Sequence, residues 1–233
     1  LAKMKSVKHI FFDLDHTLWD FKKNAREALS EIFIDKQLAL RGVPSFDEFF
    51  ARYSALNDHY WNLYRIGEIS KDDLRYIRFN EALKTFKVND ERLSFEVGNA
   101  YIALCPKKTN LFPFAIEVLE YLKAKDFNLH IITNGFSEIQ DIKMRESQLD
   151  SYFDLIVTPD NAGVKKPDPK IFQYALDNSK ALANESVMIG DEPFIDVKGA
   201  LDVGMKGIVF NPGQEKIHDF EEVLCLSDLK KVF

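Results

Sequence analysis

Cysteine is scarce in this chain, and its two copies exclude the simplest disulfide and zinc frameworks. Cys105 and Cys225 are the only cysteines among 233 residues, and they lie far apart in the sequence. Such a pair gives neither the disulfide framework of a small secreted fold nor the closely spaced thiols of a zinc site. We therefore predict that both are small buried hydrophobic residues and that the protein works in a reducing, cytoplasmic compartment.

The chain also has fewer positive than negative charges, and it has no long hydrophobic run. The chain has 31 Lys and Arg against 37 Asp and Glu, a net charge of −6. This balance argues against a general affinity for nucleic acid or for an anionic membrane surface. No apolar run approaches the roughly 20 residues that a membrane-spanning helix needs. Any phosphate-bearing ligand must therefore be held by local groups.

An apolar run near the N-terminus, Ile10 to Phe12, ends in two acids separated by one residue, Asp13 and Asp15. Short runs of this kind are typical of buried strands, and open α/β sheets bind ligands at the carboxyl ends of their strands. Alternate residues of an extended chain share a face, so the two carboxylates can converge on one point. Taken alone, the pair fits a solvated loop end as well as a Mg²⁺ site.

The sequence from Trp19 to about Leu104 is helical in pattern and contains no convincing strand. Apolar residues recur at helical spacing, which predicts helices at 21–40, 46–64, 74–86 and 89–104. Ser45 and Ser70 stand where helix caps are expected, and acids follow Ser70 in the first turn. About 85 helical residues are thus inserted directly after the first strand.

Strands and helices alternate from Pro106 onward. The pattern predicts strands at 129–133, 155–158, 187–191 and 207–210, a short strand around 223–226, and helices at 113–125, 136–149, 169–177 and 195–201. This alternation predicts an α/β fold with a doubly wound parallel sheet. Residues 1–18 and 105–233 would form the core domain, and residues 19–104 would form an inserted all-helical domain.

Polar side chains follow the other predicted strands at their carboxyl ends as well. One strand ends in a hydroxyl and opens a helix, whose N-terminal N–H groups suit phosphate. A lysine before proline, where the backbone is extended, supplies a point charge for phosphate. A further strand ends in an acid, with another acid five residues later. Each feature alone is common in turns, but together they predict a metal-and-phosphate site. Its members are Asp13, Asp15, Thr133, Asn134, Lys166, Asp191 and Asp196.

This ordered set resembles the motifs of the haloacid dehalogenase superfamily, in its phosphatase branch. The resemblance covers the whole core. Its four motifs are Asp13-Leu14-Asp15-His16-Thr17, Thr133, Lys166 in Lys-Pro-Asp-Pro, and Gly190-Asp191 with Asp196. The family implies a Rossmann-like core, and the helical insertion resembles its small helical cap. More narrowly, Thr133-Asn134-Gly135-Phe136 followed by Ile139-Gln140 resembles nucleotidases that act on pyrimidine nucleoside monophosphates.

The resemblance also implies which residues carry the chemistry. Asp13 would be the nucleophile and would form an aspartyl-phosphate. Asp15 would protonate the leaving oxygen and then activate water. Mg²⁺ would be held by Asp13, the backbone carbonyl of Asp15, and Asp191.

The same family pattern implies which residues hold the phosphoryl group. Its oxygens would be bound by Thr133, the backbone N–H of Asn134, and Lys166. Asp196 would orient Lys166 or a metal-bound water.

The substrate implied by the resemblance is a small phosphorylated metabolite, with nucleoside 5'-monophosphates as the first choice. Core groups contact only phosphate and metal, so we expect specificity to come from the helical insertion, closed over the site, and from its connection to the first strand. Aromatic side chains in these segments suit stacking against a base. The candidates are Trp19, Asn24, Trp61 and Tyr64.

Three alternatives to a phosphatase remain, and each predicts a different feature. A sugar-phosphate mutase has the same core motifs and a similar cap, so only its products separate it from a phosphatase. A 2-haloacid dehalogenase uses the same nucleophile without a metal, and that branch lacks an acid at the position of Asp15. A receiver-like signalling domain, which is not an enzyme, also uses an Asp, a Thr and a Lys on a parallel sheet but has no helical insertion.

Overall fold

The computed structural model describes residues 4–213 and 219–233, and the centre of the fold is a six-stranded parallel sheet. Its strands are β1 (His9–Phe12), β2 (Asn128–Ile132), β3 (Leu155–Val157), β4 (Ser186–Gly190), β5 (Lys206–Phe210) and β6 (Glu222–Val223). They are ordered β3-β2-β1-β4-β5-β6, and every neighbouring pair is parallel. The predicted doubly wound α/β sheet is confirmed.

The strand order places the ends of β1, β2 and β4 side by side. Phe12 pairs with Ile131 on β2 and with Ile189 on β4, so these three strands end at the same edge. From β1 the chain continues outward through β2 and β3, then returns to β4 on the other side of β1. The order therefore reverses between β1 and β4, where open α/β sheets bind their ligands. Residues 10–12 are fully buried, as expected of a strand covered on both faces.

The helices are α1 (Phe21–Asp35), α2 (Phe46–Arg65), α3 (Lys71–Lys84), α4 (Glu91–Leu104), α5 (Ala115–Ala124), α6 (Ser137–Glu146), α7 (Pro159–Ala162), α8 (Pro169–Ser179), α9 (Lys198–Asp202) and α10 (Leu229–Val232). The chain forms two compact units, one of Leu1–Phe21 with Thr109–Phe233 and one of Lys22–Lys108. We call them the sheet unit and the helical unit. The division into folding domains at 1–18 with 105–233 and at 19–104 remains a prediction. Within the ranges given above, no helix combines the length and apolarity needed to cross a bilayer.

The helical unit begins its helices at the predicted caps. The Ser45 hydroxyl accepts a hydrogen bond from the N–H of Glu48, and Ser70 forms a capping box with Asp73. The first predicted helix is too long, because α1 ends at Asp35. Gln37 has a φ of 51°, which a right-handed helix cannot contain, and a 3₁₀ turn follows at Leu38–Arg41.

A buried histidine in β2 makes the stability of the sheet unit sensitive to acid. The His130 side chain is 2% exposed, its Nε2 lies 3.1 Å from Nδ1 of His9, and its Nδ1 has no hydrogen-bond partner in the described chain. Burial and the neighbouring His9 ring lower the pKa of His130 to about 4, from an ordinary value of 6.5. The unfolded chain therefore takes up the proton first, and stability falls as the pH drops from 6.5 toward 4.

We expect His130→Asn to remove much of this acid sensitivity. At pH 4.5 the shifted pKa makes wild-type unfolding easier by roughly 2.5 kcal/mol relative to pH 7. Urea unfolding at the two pH values should therefore show a smaller difference in the variant, by about 2 kcal/mol. His59→Asn, at an exposed position of α2, should keep the wild-type difference. Equal pH dependence in wild type and His130→Asn would show that His130 is not the cause.

Candidate active site

Three acids meet at the shared edge of β1, β2 and β4. Asp13 follows β1, and its N–H donates to the carbonyl of Ile189 at 2.8 Å. Asp191 follows β4, and Asp196 lies in a π-helical segment, Pro193–Val197, that precedes α9. One carboxylate oxygen from each of Asp13, Asp191 and Asp196 lies within 4.8 Å of the others.

Lys166 lies among these acids and is 2% exposed. Its Nζ is 2.6 Å from Oδ1 of Asp13, 2.6 Å from Oδ1 of Asp196, and 2.7 Å from the carbonyl oxygen of Ile132. Burial lowers the pKa of the Lys166 ammonium, but the carboxylates of Asp13 and Asp196 more than offset this, so its pKa lies above the ordinary value. Lys166 is therefore a fixed cation at the edge of the sheet.

One ammonium is not enough positive charge for this cluster. Burial raises the pKa of Asp13 to about 7 despite Lys166, and Asp196 and Asp15 add to the rise. Burial and the charge of Asp13 also raise the pKa of Asp191 well above its ordinary value. Carboxylates of this kind stay ionised together only when a further cation joins them. An oxygen-only donor set short of positive charge fits a hard divalent cation such as Mg²⁺.

Asp196 is held where it can orient Lys166. It is 1% exposed, and its Oδ2 accepts from the N–H of Glu192 at 3.1 Å. A Cβ on Gly190 would lie 2.2 Å from that same Oδ2. The glycine at the end of β4 is therefore required by the close approach of the Asp196 carboxylate, and π-helical turns such as 193–197 are frequent at functional sites.

The carboxylate of Asp15 is bound to α6. Its Oδ1 and Oδ2 lie 2.6 Å and 2.8 Å from Nζ of Lys143, and Oδ2 also accepts from Nε2 of Gln140 at 2.9 Å. Burial raises the pKa of the Asp15 carboxyl, but the Lys143 ammonium and the Gln140 amide more than offset this, so the pKa lies below its ordinary value. Gln140 belongs to the nucleotidase-like stretch quoted from the sequence, but no role was predicted for it there, and Lys143 was not predicted at all. Their spacing of three puts them on one face of a helix.

Thr133 and Asn134 follow β2, and hydrogen bonds fix both side chains. The Thr133 hydroxyl oxygen accepts from the N–H of Gly135 at 3.1 Å and from Nε2 of Gln140 at 2.8 Å. The Asn134 side chain binds the backbone of Lys166 twice, with its Nδ2 donating to the carbonyl at 3.0 Å and its Oδ1 accepting from the N–H at 2.8 Å. Asn134 therefore fixes the loop that carries Lys166.

The predicted specificity residues are divided between the two units. Trp19, in the sheet unit, is fully buried, and its ring lies 4.4 Å from Nζ of Lys143. The helical unit contains the other three. Asn24 is fully buried in α1, while Trp61 and Tyr64 are half-buried in α2 with ring centroids 5.6 Å apart. Their contact with a substrate stays a prediction.

Comparison with known proteins agrees with this geometry. Residues 7–204 match the family of haloacid dehalogenase-like hydrolases. The chain is a haloacid dehalogenase-like hydrolase. This hydrolase is 30% identical over 230 residues to the pyrimidine 5'-nucleotidase YjjG of Escherichia coli (strain K12), an alignment that covers 93% of this chain and 97% of YjjG.

Two further relatives bear on the chemistry. The hydrolase is 32% identical over 214 residues to the glyceraldehyde 3-phosphate phosphatase of Methanothermobacter thermautotrophicus, covering 88% of this chain and 86% of that protein. Its fold matches the crystal structure of the HAD-hydrolase YfnB of Bacillus subtilis, bound to magnesium, with a TM-score of 0.86 and 25% identity over 97% of this chain and 98% of YfnB. The resemblance to the family, including the helical insertion, is confirmed.

Proposed function

We propose that this hydrolase cleaves phosphate monoesters with Mg²⁺, through a phosphoryl group carried on Asp13. The observation that carries the proposal is the position of Lys166, buried between Asp13 and Asp196 and beside the end of β2. A fixed ammonium next to a carboxylate nucleophile attracts and orients an anionic group at that carboxylate. The phosphatase named among the relatives supports the same class of reaction.

Each step of the proposed reaction belongs to a named side chain. A carboxylate oxygen of Asp13 attacks phosphorus and the bond to the leaving oxygen breaks, while Asp15, in the fraction of the enzyme where it is protonated, gives its proton to that oxygen and becomes a carboxylate. Asp15 then takes a proton from water, which attacks the aspartyl-phosphate, releases phosphate and restores Asp13. Lys166 and the Thr133 hydroxyl hold the phosphoryl oxygens in both steps.

The metal site is proposed from the same residues. Asp13, Asp191 and the backbone carbonyl of Asp15 would hold the ion. When bound, Mg²⁺ supplies the positive charge that lets an anionic carboxylate approach an anionic phosphate. Asp196 belongs to the same cluster, but its carboxylate is already bound to Lys166 and to the N–H of Glu192. Its proposed role is therefore to orient Lys166.

Nucleoside 5'-monophosphates are the proposed substrates. The similarity to YjjG supports them, and Trp61 and Tyr64 of the helical unit are aromatic residues of the kind that stack against a base. The similarity to a glyceraldehyde 3-phosphate phosphatase favours the alternative, a sugar-phosphate phosphatase or mutase of the same family.

A substrate screen with Mg²⁺ tests this function. Pyrimidine and purine nucleoside monophosphates, glyceraldehyde 3-phosphate, glucose 1-phosphate and 2-chloropropionate would be compared for release of phosphate or chloride. We expect the highest kcat/KM with pyrimidine nucleoside monophosphates, complete loss in excess EDTA, and recovery with Mg²⁺. Isomerised glucose phosphate without released phosphate would indicate a mutase, and chloride release a dehalogenase. Phosphate release that persists in excess EDTA would contradict the metal requirement.

Alanine at Trp61 or Tyr64 tests the nucleotide preference separately. Loss of a stacking face is worth roughly 1 to 3 kcal/mol per base, so KM for a nucleoside monophosphate should rise about 5-fold or more. KM for glyceraldehyde 3-phosphate, a small phosphoester without an aromatic ring, should change much less. Phe95→Ala removes an exposed aromatic side chain from α4 and should leave both KM values unchanged. Equal effects on both substrates would argue against base stacking at these positions.

A further inference from the structure

Gln140 of α6 connects the two motif residues that the sequence analysis placed at separate strand ends. Its Nε2 lies 2.9 Å from Oδ2 of Asp15 and 2.8 Å from Oγ1 of Thr133. An ionised carboxylate oxygen only accepts hydrogen bonds, so the Asp15 contact requires the NH₂ group of Gln140 at this place. The NH₂ group has two hydrogens, and each is given to one of the two partners.

The bond from Gln140 determines what the Thr133 hydroxyl can do. A hydroxyl oxygen has two acceptor sites and one hydrogen. The N–H of Gly135 and the NH₂ of Gln140 occupy both acceptor sites, at 3.1 Å and 2.8 Å. The hydroxyl can form a further bond only by donating its own hydrogen, and no acceptor for it is found in residues 4–213 and 219–233. Thr133 is therefore prepared to donate to an oxygen of a ligand.

The local chain is built around the Gln140 side chain. A Cβ on Gly135 would lie 2.1 Å from Nε2 of Gln140, so only glycine leaves room for this amide. Gln140 is fully buried, yet its Oε1 has no hydrogen-bond partner among the described residues. A buried unpaired carbonyl lowers stability, and such groups in a folded protein call for an explanation. The position of the NH₂ group between Thr133 and Asp15 provides one.

Lys143, one turn further along α6, fixes the other side of the Asp15 carboxylate. Its Nζ binds both carboxylate oxygens, at 2.6 Å and 2.8 Å, and its side chain is buried under the ring of Trp19. With Gln140 on Oδ2 as well, three contacts set the plane of the carboxylate.

We infer that Gln140 and Lys143 are positioning residues of the active site: Gln140 directs the Thr133 hydroxyl as a donor to the phosphoryl group, and both hold the Asp15 carboxylate in place. This inference rests on the proposed phosphomonoesterase activity. Neither residue contacts the phosphoryl group in this account. Both act through Thr133 and Asp15.

A double-mutant cycle between Gln140 and Thr133 tests the first part. Thr133→Val removes one donor to the phosphoryl group and should lower kcat/KM about 10²-fold. Gln140→Leu should also cost about 10²-fold, because a misdirected group loses most of its effect. If Gln140 acts through Thr133, the two losses overlap. Thr133→Val should then lower kcat/KM by less than about 5-fold when it is made in the Gln140→Leu protein. Arg145→Met, on the exposed face of α6, should be additive with Thr133→Val.

Gln140→Glu tests whether Gln140 orients the Thr133 hydroxyl through its amide or only fills the space beside it. A carboxylate at this position accepts the hydrogen of the Thr133 hydroxyl and repels Asp15, so it should not restore activity although its size matches. Gln140→Met fills the space without polar groups and should behave as Gln140→Leu does. Gln140→Met would also be used in place of Gln140→Leu if the leucine variant does not fold. Wild-type activity in Gln140→Glu or Gln140→Met would overturn the inference.

Substitutions at Lys143 test the positioning of Asp15. Lys143→Met keeps the apolar stem but not the charge. Loss of the charge lets the pKa of Asp15 rise, but the carboxyl group is no longer held in place by its two bonds to Lys143, so single-turnover rates should fall at least 10-fold more with an alkyl phosphate than with p-nitrophenyl phosphate. The alkyl leaving group needs the proton from Asp15 more, since general acid help is worth about 10² to 10⁴-fold. Lys143→Arg should restore most of the alkyl phosphate rate. Equal losses on both substrates would contradict a role through Asp15.

Binding of inorganic phosphate in the presence of Mg²⁺, measured by calorimetry, gives a readout that does not depend on turnover. Gln140→Leu and Thr133→Val should each weaken binding, and the double variant should be no weaker than the worse single variant. Additive losses would overturn the inference even if the enzyme is a phosphatase. A wild-type protein that binds phosphate in this coupled way but hydrolyses none of the monoesters would contradict the proposed function and leave the positioning role supported.

Discussion

Asp13→Asn is expected to lower phosphate release by about 10⁴-fold or more, because an amide oxygen cannot replace the carboxylate nucleophile. The two side chains have nearly the same shape, so the fold should be kept. Lys166 loses one partner but keeps its ion pair with Asp196 and its bond to the carbonyl of Ile132. The variant should therefore give the wild-type circular dichroism spectrum while it fails to release phosphate.

The measurement is the rate of p-nitrophenyl phosphate hydrolysis at saturating Mg²⁺. Asp141→Asn is the matched control, since it makes the same chemical change on an exposed position of α6 and should keep wild-type activity. A rate for Asp13→Asn within about 10²-fold of wild type would be typical of a lost acid–base group rather than of a lost nucleophile.

Lys166→Met is expected to affect both activity and stability. Removal of the ammonium leaves the carboxylates of Asp13 and Asp196 buried without their common cation. Breaking a buried ion pair by removal of one partner costs about 3 to 5 kcal/mol, so the free energy of unfolding should fall by roughly 3 kcal/mol. Activity should fall about 10³-fold, because one donor to the phosphoryl group is lost and Asp13 is no longer held in place.

The pH dependence distinguishes charge from packing in this variant. Burial raises the pKa of Asp13 to about 7 even with Lys166 present, and loss of the cation raises it further. Below pH 7 the folded wild type and the folded variant both keep Asp13 protonated, so they share the same penalty. Above pH 7 Asp13 ionises more readily in wild type than in the variant, so the extra destabilisation of Lys166→Met appears as the pH rises above 7. In urea unfolding without metal, the deficit of Lys166→Met should be smaller at pH 5.5 than at pH 8.5. Lys170→Met, at an exposed position of α8, should show no deficit at either pH.

A second substitution should recover the stability without the activity. Lys166→Met combined with Asp196→Asn removes one of the two unpaired carboxylates and should be more stable than Lys166→Met alone, yet equally inactive. A Lys166→Met protein as stable as wild type at pH 8.5 would contradict the view that Lys166 neutralises this cluster.

The sheet and the acids at its edge were predictable because their signals are local. In a parallel sheet covered on both faces, strands are short apolar runs, and 10–12 and 187–190 stand out as such. The residue after each central strand lies at the edge where ligands bind, so Asp13, Thr133 and Asp191 followed from the end points of the strands. The structure adds the distances and the burial that bring Lys166 and Asp196 to the same place.

The residues that the sequence analysis missed depend on partners far along the chain. Lys143 has the sequence surroundings of an ordinary solvent-exposed helical lysine, and only the contact with Asp15 shows that it is buried. The role of Gln140 likewise depends on its bond to Asp15, a residue 125 positions earlier in the chain. The early end of α1 was missed for another reason, since the left-handed residue at that point is Gln37 rather than the glycine or asparagine that usually adopts this conformation.

The central claim is that a phosphoryl group passes through Asp13, and rapid-quench mass spectrometry tests it most directly. Enzyme in excess would be mixed with p-nitrophenyl phosphate and Mg²⁺, quenched in acid within the first turnover, and the peptide containing Asp13 examined for an added phosphoryl group. We predict this group on Asp13 in the wild-type protein, in larger amount in Asp15→Asn, whose second step lacks its base, and not at all in Asp13→Asn. Complete release of phosphate in a single turnover without a phosphorylated protein at any quench time, or a phosphoryl group on another residue, would contradict the account.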